Sequence, residues 1–360
     1  PLLQPDLWKV KVGGSLEQVA FKSILFAKPV QLLEGRYVLQ NDQKRQLLQL
    51  HEVRAQVLDS PMELSGRVDN ILAGITGCEL KLAGRLQPRF LDRLTELLDW
   101  DPKYHIKPGV QVSAGNLSWR RGKEARLTAQ LMWSKGPKIQ CEYVFANGQT
   151  QLRRTNIIHD GRKAAFSLVS SQKQLHLIFD GELNTDTLDA ILVHNPVDSG
   201  WVKGNLQLQL AWSRPLSFTG QGHLQAKHFR LPWKGLAALE IDQLDLTAQD
   251  AQVKLTHAVL RHGEDAFSVS GTAIERQGLI ELDMEIDAER LRWDKLAGLL
   301  QQLAPSRASA DDNRAELPIS GNIQLHSRTF RLNGMALSEL RSTLQFSPQG
   351  LSAQVRQARL

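Results

Sequence analysis

The chain has 360 residues, of which 42% are hydrophobic and 23% charged, and its net charge is +6. That is ordinary globular composition with apolar side chains for a substantial core; no apolar run approaches the roughly 20 residues of a membrane span, and no run of about five like charges makes a basic arm. A mildly basic balance fits an anionic partner such as phospholipid headgroups or nucleic acid, and equally a soluble protein with neither.

Residues 1–85 read as strands joined by tight turns. Gly13-Gly14 reads as a bend and not a phosphate cradle, since no GxGxxG or GK[ST] follows. Arg36 to Gln40 runs into the turn signal Asn41-Asp42. Leu47 to Leu58 alternates through Leu48, Leu50, Val53 and Val57 and slips once in register. A first short helix is expected over 89–100, with Pro88 at its start and Pro102 past its end. Cys78 and Cys141 form neither a metal motif nor CxxC, and leave open whether they pair.

From 110 to 169 the pattern returns to strands. Leu127, Ala129, Leu131 and Trp133 alternate, and Asn147-Gly148 and Asp160-Gly161 are two-residue hairpin signals. A second helix is expected over 186–193. Residues 201–287 are the cleanest β region, with Leu206, Leu208, Leu210 and Trp212 on one side and Asn205, Gln207 and Gln209 on the other. Ile280, Leu282, Met284 and Ile286 then interleave with Glu281, Asp283, Glu285 and Asp287, a strand with one apolar and one carboxylate face. From Leu291 the apolar spacing lengthens through Leu296 and Leu299, which reads as a third helix, near 293–303. Residues 305–317 have linker composition, and strands resume from 318 to 360.

The strand-then-helix unit recurs. Leu86, Leu91 and Leu94 match Leu183, Leu188 and Ile191, then Leu291, Leu296 and Leu299, a period of about 100 residues. A second phrase, apolar-Ser-Gly-x-apolar, stands at Leu64–Val68, Val269–Ala273 and Ile319–Ile323. The expected organisation is a β-repeat region over 1–304, with units ending near 100, 195 and 304, then the linker, then a further β region over 318–360. The chain opens at Pro1 with neither Met nor a signal peptide and stops inside a strand-like pattern, so it reads as a segment of a longer protein.

The C-terminal residues resemble the AsmA-like C-terminal region. That family runs through a small-residue-Gly opening, a Gly-x-x-Leu-Ser-x-Leu middle and a Gly-Leu strand ending in Ala-x-Leu. Here these are Ser320-Gly321, Gly334 to Leu340, and Gly350-Leu351 running to Ala358-Arg359-Leu360; the glycine pair that usually closes the family motif is not reached. The resemblance covers 317–360 closely, and 84–98 and 181–192 more diffusely. It implies the periplasmic part of an inner-membrane-anchored protein of Gram-negative bacteria, with the anchor outside this segment. It also implies long, twisted, half-open β-sheets with an apolar trough, and a part in moving phospholipid between the inner and outer membranes.

The residues give no enzyme constellation. His223 and His228 are poorly spaced for one face, and Ser170 to Lys173 matches SxxK without companion motifs. Asp186 and Asp189 read as capping or solvated, and the acidic ladder on the 280–287 strand reads as facing water. No enzyme activity, cofactor or metal site is expected. The apolar faces fit either the core of a sheet-on-sheet sandwich or a trough for acyl chains, and alternation alone does not separate the two. With the resemblance, the expectation is a mostly β, elongated and twisted antiparallel sheet with an apolar groove. Its candidate lining is Leu127, Leu131, Trp133, Leu206, Leu208, Leu210, Trp212, Ile280, Leu282, Met284 and Ile286. The expected partner is phospholipid, not nucleic acid, with membranes reached through regions outside this segment. The alternative is a structural β-repeat scaffold that binds other envelope proteins along a sheet edge.

Overall fold

The computed structural model describes residues 9–21, 30–42, 45–71, 74–97, 104–146, 149–170, 174–195, 199–211, 217–230, 239–292, 319–332, 335–347 and 350–359. The chain is mostly β, with its strands in one hydrogen-bonded sheet and two short helices among the described residues. Contacts group it into two compact units: Pro1–Ala165 with Asp186–His194, and Phe166–Thr185 with Asn195–Leu360.

The first unit begins with β1 (Val10–Phe21), β2 (Val30–Asp42), β3 (Arg45–Val57), β4 (Ser60–Asp69) and β5 (Gly77–Leu86). After α1 (Pro88–Leu97) come β6 (Val110–Arg120), β7 (Ala125–Met132), β8 (Lys138–Ala146), β9 (Gln149–His159) and the start of β10 (Arg162–Ser170). Strands β1 to β9 pair antiparallel in chain order. The β9–β10 turn uses Asp160 and Gly161, with φ of 48° and 78°, the left-handed pair a tight hairpin requires.

Helix α1 is fixed by its ends and its underside. Asp59, in the β3–β4 turn, accepts from the Arg89 amide at 2.9 Å and the Phe90 amide at 3.2 Å. Ser60 Oγ accepts from the Gln87 amide at 2.9 Å. These carboxylate and hydroxyl oxygens satisfy donors that a helix start leaves open. Leu91 is buried in the cluster that includes Val57, Leu86 and Val110, and Phe90 packs against that cluster. Within the same unit, residues 186–191 of α2 (Thr185–Ile191) set Leu188 and Ile191 against Tyr104, Ile106 and Trp133.

The second unit contains β11 (Gln174–Asn184), β12 (Trp201–Ala211), β13 (Ser217–Arg230), β14 (Leu239–Asp250), β15 (Gln252–His262), β16 (Asp265–Arg276) and β17 (Leu279–Arg292). It closes with β18 (Ile319–Leu332), β19 (Met335–Ser347) and β20 (Gly350–Arg359). Pairing is antiparallel from β11 to β17 and from β18 to β20. The β17–β18 pair is parallel, which requires a crossover of about a dozen residues or more. The interval 293–318 has that length.

Several expectations change. Gly13-Gly14 is no bend: both residues lie inside β1, opposite Val38 and Tyr37. A Cβ at Gly14 would stand 3.0 Å from Tyr37 Cε1, so the missing side chain makes room for the ring. Leu291 and Arg292, expected to open a helix, instead end β17. Leu291 is buried with Phe330, and Arg292 Nε donates to the buried Asp265 carboxylate at 2.7 Å. The rest of that expected helix, near 293–303, lies outside the described residues, as do 98–100 of the first helix, the 305–317 linker and Trp212.

Candidate functional site: the half-open apolar sheet face

The strand registers place the apolar residues of successive strands in rows. In the first unit, one row runs Gly66, Leu80, Leu117, Leu127, Tyr143 across β4 to β8. The next row on that face is Leu64, Leu82, Gly115, Ala129, Cys141, and beyond it runs Met62, Gly84, Val112, Leu131, Ile139. In the second unit, Leu224, Leu246, Leu255, Gly271, Met284 and Ile323 form one row across β13 to β18. Period-two alternation produces this directly, because each strand sends every second side chain to the same face.

Burial along these strands is uneven. Met62, Leu86 and Val110 are buried at one end of β4, β5 and β6, where α1 packs. Toward the other end Leu80, Leu117, Leu127 and Tyr143 are only half-buried. The second unit repeats the gradient: Val202, Leu206, Phe267 and Leu291 are buried, while Leu208, Leu210, Ile280, Leu282, Met284 and Ile286 are half-buried. The described strands belong to a single sheet, and no second sheet is present among the described residues.

Ten of the eleven expected lining residues are described. Leu127 and Leu131 share the apolar face of β7, and Trp133, just past the strand, packs in the first unit with α2. Leu206, Leu208 and Leu210 face Phe179, Leu177 and Leu175 across β11–β12. Ile280, Leu282, Met284 and Ile286 share one face of β17. Leu206 is 2% exposed and Trp133 packs under α2, so these two belong to the filled end and the others to the half-open one.

The opposite face is polar and cross-linked by ion pairs, such as Arg67–Glu79 at 2.6 Å and Arg126–Glu142 at 3.3 Å. The acidic ladder of β17 lies on this face. Its Asp287 meets His326 Nδ1 at 3.1 Å and its Glu285 meets the same atom at 3.9 Å. The three side chains form an exposed cluster with ligand-type atoms within 4.8 Å of one another.

Cys78 and Cys141 are free, on β5 and β8, with two strands between them. Three strand spacings are about 14 Å, beyond disulfide reach. Burial pushes both thiols up from their ordinary value, so neither is activated for chemistry.

The sequence reading missed what the recurring Ser-Gly phrase does. At Gly271 (φ +138°) a Cβ would stand 2.2 Å from the Asp283 carbonyl oxygen, and at Gly321 (φ +119°) 1.9 Å from that of Leu282. Both glycines therefore let a neighbouring strand approach β17 closely, one from each side. Their signal was present in the repeated phrase, without the geometry that explains it. No protein-family model, curated protein or solved structure matches this chain.

Proposed function

We propose that this chain is a non-enzymatic lipid-binding and lipid-transfer segment of an AsmA-like envelope protein, which shields phospholipid acyl chains on the half-open part of its apolar sheet face. The observation that carries the reading is the continuous register of half-buried apolar rows in a single sheet, with no second sheet among the described residues. Acyl chains need continuous apolar surface and no particular side-chain identity, and a face of Leu, Ile, Val and Met supplies that. The polar, ion-paired face opposite keeps water on the other side of the sheet. In this reading the segment works in the periplasm, between the inner and outer membranes, and its anchor lies outside it. No described helix is long and apolar enough to cross a membrane.

Neighbouring positions on β12 provide the test. Leu208 lies on the apolar face, and Gln207 is exposed on the polar one beside His176. A photo-crosslinking residue at Leu208 is expected to capture phospholipid several-fold more than one at Gln207. Equal capture at the two positions removes the groove reading. Co-purification of an envelope protein without lipid supports the scaffold alternative.

A further inference from the structure

The turn between β6 and β7 gathers cations at the half-open end of the apolar rows. Arg120, Arg121 and Lys123 are all exposed there. Arg120 has one distant carboxylate, Glu79 at 3.7 Å, which Arg67 already engages at 2.6 Å. Glu124, the next acid along, pairs with Arg153 at 3.3 Å and Arg126 at 3.6 Å. Among the described residues, no carboxylate lies within ion-pair distance of Arg121 or Lys123. The turn is held in place: the Arg121 amide donates to the Thr76 carbonyl at 2.7 Å, and the Lys123 amide to the Arg120 carbonyl at 3.0 Å.

Arg120 extends over the polar face toward Glu79, and apolar side chains of the other face reach the same turn. Trp119 precedes the turn and faces Cys78 on the apolar side. Phe145, 48% exposed, faces Ala125 just after it. Ile75, 43% exposed, lies in the loop that the turn bonds to. Two cations outside ion-pair distance of any described carboxylate and a third, Arg120, with only a distant one, at a turn that half-covered aromatic and aliphatic groups also reach, match an amphiphile with an anionic head, and match neither a free ion nor a bare hydrocarbon.

We infer that Arg120, Arg121 and Lys123 hold the phosphodiester headgroup of an anionic phospholipid whose acyl chains lie on the Trp119, Leu117, Leu127 and Tyr143 strip. The inference rests on the lipid-groove reading and adds a headgroup preference to it. Cationic side chains at this turn would favour a lipid of net negative charge over a zwitterionic one carrying the same phosphodiester.

The purified chain is incubated with vesicles of equimolar phosphatidylglycerol and phosphatidylcholine, re-isolated, and its bound lipid measured by mass spectrometry. The expected result is enrichment of phosphatidylglycerol by about fivefold, the scale of a few exposed charge contacts. The triple variant R120S/R121S/K123S is expected to bring the ratio close to one while total bound lipid is retained. A control triple variant elsewhere, R36S/R276S/R328S, is expected to keep the enrichment. Unchanged enrichment in the turn variant, or equal loss in the control, overturns the headgroup site and leaves the groove reading standing. Loss of enrichment on adding sn-glycerol 1-phosphate, at concentrations comparable to the lipid, makes the turn a plain phosphate site and overturns the lipid assignment. No bound lipid in the unaltered chain overturns both.

Discussion

Gly321 and Gly271 show how single residues set the spacing of this sheet. Each has a positive φ, and each faces a carbonyl oxygen of β17 at a distance where no Cβ fits. Gly122, in the β6–β7 turn, has φ of +72° with nothing within 4 Å of a Cβ. The three positions separate two costs. Gly122→Ala bears only the left-handed backbone penalty, about 1 kcal/mol. Gly321→Ala adds a clash with backbone that cannot move without shifting β17, and is expected to cost about 3 kcal/mol. Amide hydrogen exchange reads both locally: β17–β18 amides should open more than a hundredfold more readily in G321A, and β6–β7 amides less than tenfold in G122A. Comparable small effects in both would mean that the close approach does not organise the sheet.

At the scale of elements, α1 depends on a residue far from it in sequence. Asp59 caps it from the β3–β4 turn, and Asp59→Ala is expected to cost about 1 kcal/mol of helix docking, while Asp59→Asn, an equally good cap, costs little. Hydrogen exchange over Phe90–Leu94 is the readout: about fivefold faster exchange in D59A and near-normal rates in D59N. No local pattern could have named this partner. What was legible was local. The slip within Leu47–Leu58 is a bulge between Leu50 and Val53, with Glu52 at φ of 50°. The Asp160-Gly161 hairpin, the helix after Pro88 and the alternation of β12 and β17 were equally readable, because each is set by a few adjacent residues. Gly13-Gly14 was misread because the ring that fills their space comes from Tyr37 on the next strand. The end of β17 was misread for the same reason, since Phe330 and Asp265, on neighbouring strands, hold Leu291 and Arg292 extended. For the candidate site, alternation supplied which side chains share a face. Whether that face was covered depended on the arrangement of the strands.

Across the whole molecule, half-buried apolar rows such as that of Leu282 and Met284 keep surface that a second layer of strands would remove. Two consequences follow for unfolding. Strands supported mainly by their sheet neighbours unfold in stages, as in other arrays with nearest-neighbour stability. The urea dependence is also shallow, because its slope scales with the surface newly exposed. Urea unfolding followed by far-ultraviolet circular dichroism and by tryptophan fluorescence is therefore expected to give transitions that do not coincide. Their summed slope should lie below that of a compact protein of equal length. On the proposed lipid reading phospholipid would bind only paired strands, so loading the chain with phosphatidylglycerol should raise the midpoints, by about 3 kcal/mol of apparent stability at a hundredfold excess over its dissociation constant. A single steep transition, coincident by both probes and indifferent to lipid, would mean that the apolar face is already filled by protein, and acyl chains would then have no surface to occupy.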